Sequence, residues 1–374
     1  MWIVPILSLC NWSMASCQTA PAGAELTMSP ASLNALAATY VAKGEFEESR
    51  KIFERALALL QRNGDADGCE AGKTYQLLGE VAQVQGHFAE AEENFKKAVA
   101  LFRMQAGPGD IRTASALNSL GWLYNVGGRI QEASVTLDKA WSIAQMALPE
   151  DSPDLLMFLD AQASMHCQRG HFTEAEKHWL RGLRIAEHSN GLDTHQYAAI
   201  LMHLGEMYSS FGDYKSATEL FRRSLAGFEQ KGVPLSITQA VMMSELGAAY
   251  TRSKNYSAAE PFFSKSLEIV AADRNPVPLG DALVLSRAGD YFMARHDWAT
   301  AERDFSRALK LREQSLGEDH PLVAQSLISH SAALRKLNRK KEAKNELARA
   351  NQILAVRKDS AYLANTVDVR SFRK

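Results

Sequence analysis

Apolar residues along this chain recur at spacings of three and four, the pattern of one helix face, and the faces come in pairs divided by a short break. Before Gly212, one face carries Leu201, Leu204, Gly205 and Tyr208; after it, the next carries Tyr214, Ala217, Phe221, Ser224 and Leu225. The same phrase returns elsewhere: "HFAEAEENFKKAVALF" at 87–102 and "HFTEAEKHWLRGLRIA" at 171–186. Aligned on the residue before the phrase, Gly44, Gly86, Gly128, Gly170, Gly212, Lys254, His296 and Asn338 stand 42 residues apart, eight copies with no insertion.

Positions around each anchor keep their character. Five residues on is Ser49, then Ala91, Ala133, Ala175, Ala217, Ala259, Ala301 and Ala343; nine on is Phe53, Phe95, Leu137, Trp179, Phe221, Phe263, Phe305 and Leu347. Seven before is a small residue, from Ala37 and Gly79 to Gly289 and Ser331, and four before is often aromatic, as at Tyr40, Tyr124, Tyr208, Tyr250 and Phe292. Each copy therefore reads as two helices. A Gly at the break takes the left-handed conformation that ends the first helix, and the small residues let the two helices approach closely. One pair cannot bury its own apolar face, so the copies must stack.

Small residue, aromatic, Gly, aromatic, Ala, Phe, in this order, resembles the tetratricopeptide pattern over about residues 29–354. That unit has about 34 residues, so a period of 42 adds about two helical turns. "SLGEDHPLVAQSL" (315–327) resembles the loop between kinesin-light-chain-type repeats. The resemblance implies an all-α fold, a right-handed α-α superhelical solenoid of eight helix-turn-helix repeats. The expected organisation is an apolar leader or signal peptide over 1–24, the solenoid over 25–354 and a tail over 355–374. Lys254, His296 and Asn338 replace the turn Gly; Asn suits a left-handed helix end, and the turns at Lys254 and His296 stay open.

Composition fits such a stack. With 42 basic and 43 acidic residues the net charge is −1, so no global field draws the chain to nucleic acid or an anionic surface. The first 24 residues, "MWIVPILSLCNWSMASCQTAPAGA", carry no Asp, Glu, Lys or Arg and end in a small-x-small pattern. They read as a secretory signal, too short for a membrane span, which places the protein in the periplasm or outside a bacterial cell. "MASC" at Cys17 also resembles a lipoprotein processing site, and a leader on a cytoplasmic protein is the alternative. Helix one is expected to start at Ser29-Pro30.

Three features suggest chemistry and are weighed against plainer readings. "DGCEAGKT" (67–74) is close to a phosphate-binding loop but follows a helix rather than a strand, so it reads as an inter-repeat loop holding Cys69. His166, Cys167, His171 and His178 are metal-ligand types, yet the register spreads them between core and surface, and no metal is expected. Cys69 and Cys167 lie more than two repeats apart, too far for a disulfide. The basic end, Arg335, Lys336, Arg339, Lys340, Lys341 and Lys344, reads as a polar cap on the last repeat. No catalytic set and no cofactor site emerges, so the chain is expected not to be an enzyme.

The resemblance implies that ligands contact the first helices ten, six, three and two residues before each turn. Those positions are Asn34, Gln76, Glu80, Gln83, Asn118, Trp122, Asn125, Asp160, Gln168, Glu206, Ser244, Arg252, Ser286 and Asp290, with Arg335 and Lys336 at the end. Amides donate and accept, so such a row suits the backbone of an extended peptide. Trp122, between Asn118 and Asn125, is expected to be an exposed anchor. The expected function is a non-enzymatic scaffold binding a peptide or protein in a concave groove. Accessory work in envelope carbohydrate or lipid handling, and a hydrolase with an inter-repeat site, are the alternatives.

Overall fold

The computed structural model describes residues 28–189, 194–230, 236–272 and 277–356. The leader at 1–24 with Cys17, and residues 357–374 of the tail, lie outside the described residues. Among those described there are sixteen α-helices and no strand. The helices fall into two compact units that divide inside one helix, between Ala161 and Gln162.

Residues 28–161 hold α1 (Pro30–Ala42), α2 (Phe46–Arg62), α3 (Cys69–Val84), α4 (Phe88–Gln105), α5 (Ile111–Val126), α6 (Ile130–Ala147) and the start of α7 (Leu156–Gln168). Residues 162–356 hold the rest of α7, α8 (Phe172–His188), α9 (Thr194–Ser210), α10 (Tyr214–Gln230), α11 (Ile237–Arg252), α12 (Tyr256–Ala272), α13 (Pro278–Ala294), α14 (Trp298–Leu316), α15 (Pro321–Lys336) and α16 (Lys340–Val356). Odd-numbered helices are the first of each pair and even-numbered the second. Ser29 caps α1, its hydroxyl accepting from the Ser32 amide at 3.2 Å, and Pro30 opens the helix, as expected.

All eight anchors have positive φ, from 62° at Lys254 to 84° at Gly212, so Lys254 and His296 adopt the glycine conformation. A common hydrogen-bond pattern holds them there. The amide after each anchor donates to the carbonyl five residues back, as in Glu45 to Tyr40 at 2.8 Å and Asn255 to Tyr250 at 2.8 Å. That closing bond ends the first helix and sets the angle of the second.

The small residue and the large one, sixteen positions apart, meet where the two helices cross. A Cβ added at Gly79 would lie 2.7 Å from the Phe95 ring, at Gly205 2.8 Å from Phe221, and at Gly289 2.6 Å from Phe305. At these crossings a Cβ would press into the ring, so Gly stands there. Phe53, Phe95, Phe221 and Phe263 are at most 1 % exposed, each contributing about 2–3 kcal/mol of burial. The Ala five after the anchor is fully buried from Ala91 to Ala301, and Ala343 is 2 % exposed. In the last repeat Leu347 remains 38 % exposed.

Polar contacts repeat with the same logic. The Tyr124 hydroxyl donates to Glu92 at 3.3 Å and the Tyr208 hydroxyl to Glu176 at 2.5 Å, two copies of one contact 84 residues apart. Before the last repeat Gly317 takes φ 82°, and the His320 ring nitrogen accepts from the Leu322 amide at 3.1 Å to cap α15.

Candidate functional site

In residues 28–161 the first helices join through amides, hydroxyls and carboxyl groups, with no cation among the partners. The Asn34 amide donates to Thr74 Oγ1 at 2.8 Å and to Glu70 at 2.7 Å, linking α1 to α3. Gln76 donates to Glu80 at 3.3 Å and to the Ser115 hydroxyl of α5 at 3.1 Å. Glu80 is 7 % exposed, and its second oxygen has no hydrogen-bond partner. Burial pushes its pKa up to about 8, against the Gln76 hydrogen bond that lowers it, so near pH 7 it is mostly the neutral acid. Asn118 is 3 % exposed, and its Oδ1 is likewise without a partner.

In residues 162–356 the corresponding face is ionic. Glu245 of α11, 1 % exposed, accepts from Arg287 of α13 at 2.6 Å. Burial opposes the Arg287 charge, but the Glu245 carboxylate outweighs it and raises the guanidinium. Arg252 donates to the Ser209 hydroxyl of α9 at 2.7 Å. Arg252 and Asp290 reach solvent, yet protein surrounds both closely enough that burial is the largest influence on each, lowering the first and raising the second. Arg287 and Arg252 oppose the rise at Asp290. Glu206 is 8 % exposed and neither of its oxygens has a hydrogen-bond partner. Burial first, then the Glu245 charge, pushes it up to about 7, while His203 and Arg287 act the other way.

Trp122 corrects the reading of this face. It is 3 % exposed and is not an exposed anchor. On the same helix Leu117 is only half-buried, whereas Asn118 and Trp122 are buried. First helices pack on first helices of adjoining repeats, α3 on α5 among them, besides on their own partners. Positions that a lone helix pair would expose are thereby covered. Gln83 and Asp160 are buried too, and Asn125 and Gln168 half-buried. Ser244 and Ser286 direct their hydroxyls to carbonyls of their own helices, Val241 at 2.8 Å and Ala282 at 2.7 Å. Glu245 and Arg287 escaped the sequence reading because they lie nine residues before their turns. Their signal was present: opposite charges one period apart.

The other features have structural places. Cys69 is not in a loop but is the first residue of α3; Gly68 precedes it as the cap, and Thr74 is fully buried against Asn34. Neither Cys69 nor Cys167 is in a disulfide. The His166 and His178 rings stack with centroids 5.3 Å apart, and among the described residues no group of His, Cys, Asp or Glu is arranged to hold a metal ion. At the basic end Arg339 pairs with Glu302 at 2.6 Å, and Lys336 lies 5.2 Å over the Trp298 ring. No helix among the described residues is long and apolar enough to cross a membrane.

The family model of the MalT-like TPR region matches residues 33–265, and a tetratricopeptide repeat model matches residues 280–354. No curated protein sequence shows significant similarity to the chain. Among solved structures, it is similar to a Rap protein complexed with competence and sporulation factor (14% identity, 87% of this chain and 97% of that one, TM-score 0.59). It is also similar to the apo form of the quorum sensor NprR from B. thuringiensis (11% identity, 87% of each chain, TM-score 0.57). BtubC (BKLC) from P. vanneervenii matches at 21% identity over 62% of this chain and 91% of its own, TM-score 0.47.

Proposed function

Since the chain belongs to the family of the MalT-like TPR region, we propose that it is a non-enzymatic scaffold whose first-helix face takes a peptide or protein partner. One observation carries the reading. Glu80, Asn118 and Glu206, all at positions where the resemblance puts ligand contacts, are buried polar groups with oxygens that no side chain or amide satisfies. Buried polar atoms are usually paired, and each unpaired one costs about 1–3 kcal/mol. An extended peptide, with a donor and an acceptor at nearly every residue, supplies the missing partners. The solved Rap protein of this fold, held with competence and sporulation factor, gives the fold a precedent for such a role.

The charge-free leader at 1–24 supports export, so the partner belongs to the envelope or the exterior. N-terminal sequencing of the protein from its host should show loss of about 16 to 24 residues; an intact Met1 on cytoplasmic protein sinks the export claim. The binding role is tested by affinity capture from envelope extract with cross-linking and mass spectrometry. Cross-links should map to odd-numbered helices. A partner linked only to even-numbered helices rejects the proposed face.

A further inference from the structure

On the face formed by α9, α11 and α13, Glu206 is a buried carboxylate whose oxygens no cation of that face pairs. Glu245 is closed on Arg287 at 2.6 Å. Arg252 bonds the Ser209 hydroxyl at 2.7 Å and shares its electrostatic surroundings with Asp290. Glu206 is left over, more than nine-tenths buried, with two oxygens that accept nothing. An ionised carboxylate in that state is costly, and such a group either stays protonated or finds a cation. Near pH 7 it is divided between the two forms, so a cation arriving there displaces a proton.

Resting on the binding role above, we propose that Glu206 is the subsite for a basic side chain of the partner, the ammonium of a lysine or the guanidinium of an arginine on an extended peptide. The two free oxygens match the parallel donors of a guanidinium, or two donors of an ammonium. The neighbours sharpen the choice. Glu245 and Asp290 favour a cation in this region, while His203, Arg252 and Arg287 disfavour one placed off the Glu206 carboxylate. Each helix contributes part of this arrangement: His203 and Glu206 from α9, Glu245 and Arg252 from α11, Arg287 and Asp290 from α13.

The test presents the full chain with a random library of N-acetylated, C-amidated hexapeptides, wild type beside Glu206→Gln. Wild type should enrich Lys or Arg at one fixed position. Affinity of the synthesised winners should fall at least tenfold in Glu206→Gln and stay unchanged in Glu268→Gln, a surface carboxylate of α12. Calorimetry at pH 6.5 in buffers of differing ionisation enthalpy should show proton release on binding in wild type and none in Glu206→Gln. Winners without a basic position, or basic winners bound equally by Glu206→Gln, overturn the subsite while leaving the binding role intact. Failure of wild type to enrich any peptide overturns both.

Discussion

The first helices carry two chemistries in the two halves of this protein. Residues 28–161 join their first helices through amides, hydroxyls and carboxyl groups without a cation, with Asn34 on Thr74 and Glu70 and Gln76 on Ser115. Residues 162–356 join theirs through charge, with Glu245 on Arg287 and Arg252 on Ser209. A neutral pair that loses one partner leaves an unpaired polar atom, at about 1–3 kcal/mol. A buried ion pair, once broken, leaves a charge with nowhere to go. The first half should therefore tolerate substitution better than the second, and substitutions test that contrast.

The largest expected effect is Arg287→Ala, which strands Glu245 at 1 % exposure and should cost about 4 kcal/mol in urea unfolding. Loss of under about 1 kcal/mol would remove the contrast. Trp122→Ala in the first half opens a cavity instead of stranding a charge and should cost about 3 kcal/mol, with no dependence on pH between 5 and 8. Glu206→Gln should do the reverse. Its folded pKa, about 7, lies above the ordinary carboxylate value, so its contribution to stability is complete below about pH 4.5 and fades as pH rises through 7. The variant should match wild type near pH 4.5 and exceed it by roughly 3 kcal/mol at pH 8; equal stability at both pH values contradicts the burial of that charge. Thr74→Val should cost only about 1 kcal/mol, since Asn34 keeps its bond to Glu70. Smallest is Lys254→Gly, which relieves a left-handed non-glycine residue and should add about 0.5 kcal/mol to the melting free energy.

Much of this was legible because the period fixes angle and depth together. Gly205 and Phe221 had to meet, and do. Even Lys254 and His296 follow the turn, because the hydrogen-bond pattern closing each helix pair demands positive φ whatever residue stands there. Trp122 was misread for the complementary reason. Periodicity gives a side chain's direction around its own helix and says nothing of how far the neighbouring first helices cover it. Likewise Glu245 and Arg287 lie one residue from the row that the resemblance supplied, and only the stacking of α11 on α13 brings them together.

The central claim is that the first-helix face, not the outer one, meets the partner. A photo-reactive benzoylphenylalanine placed at Ser286, on first helix α13, and separately at exposed Leu180, on second helix α8, tests it in the presence of the captured partner. A covalent adduct is expected at position 286 and none at 180. Adducts at 180 alone, with 286 silent in a folded protein, would contradict it.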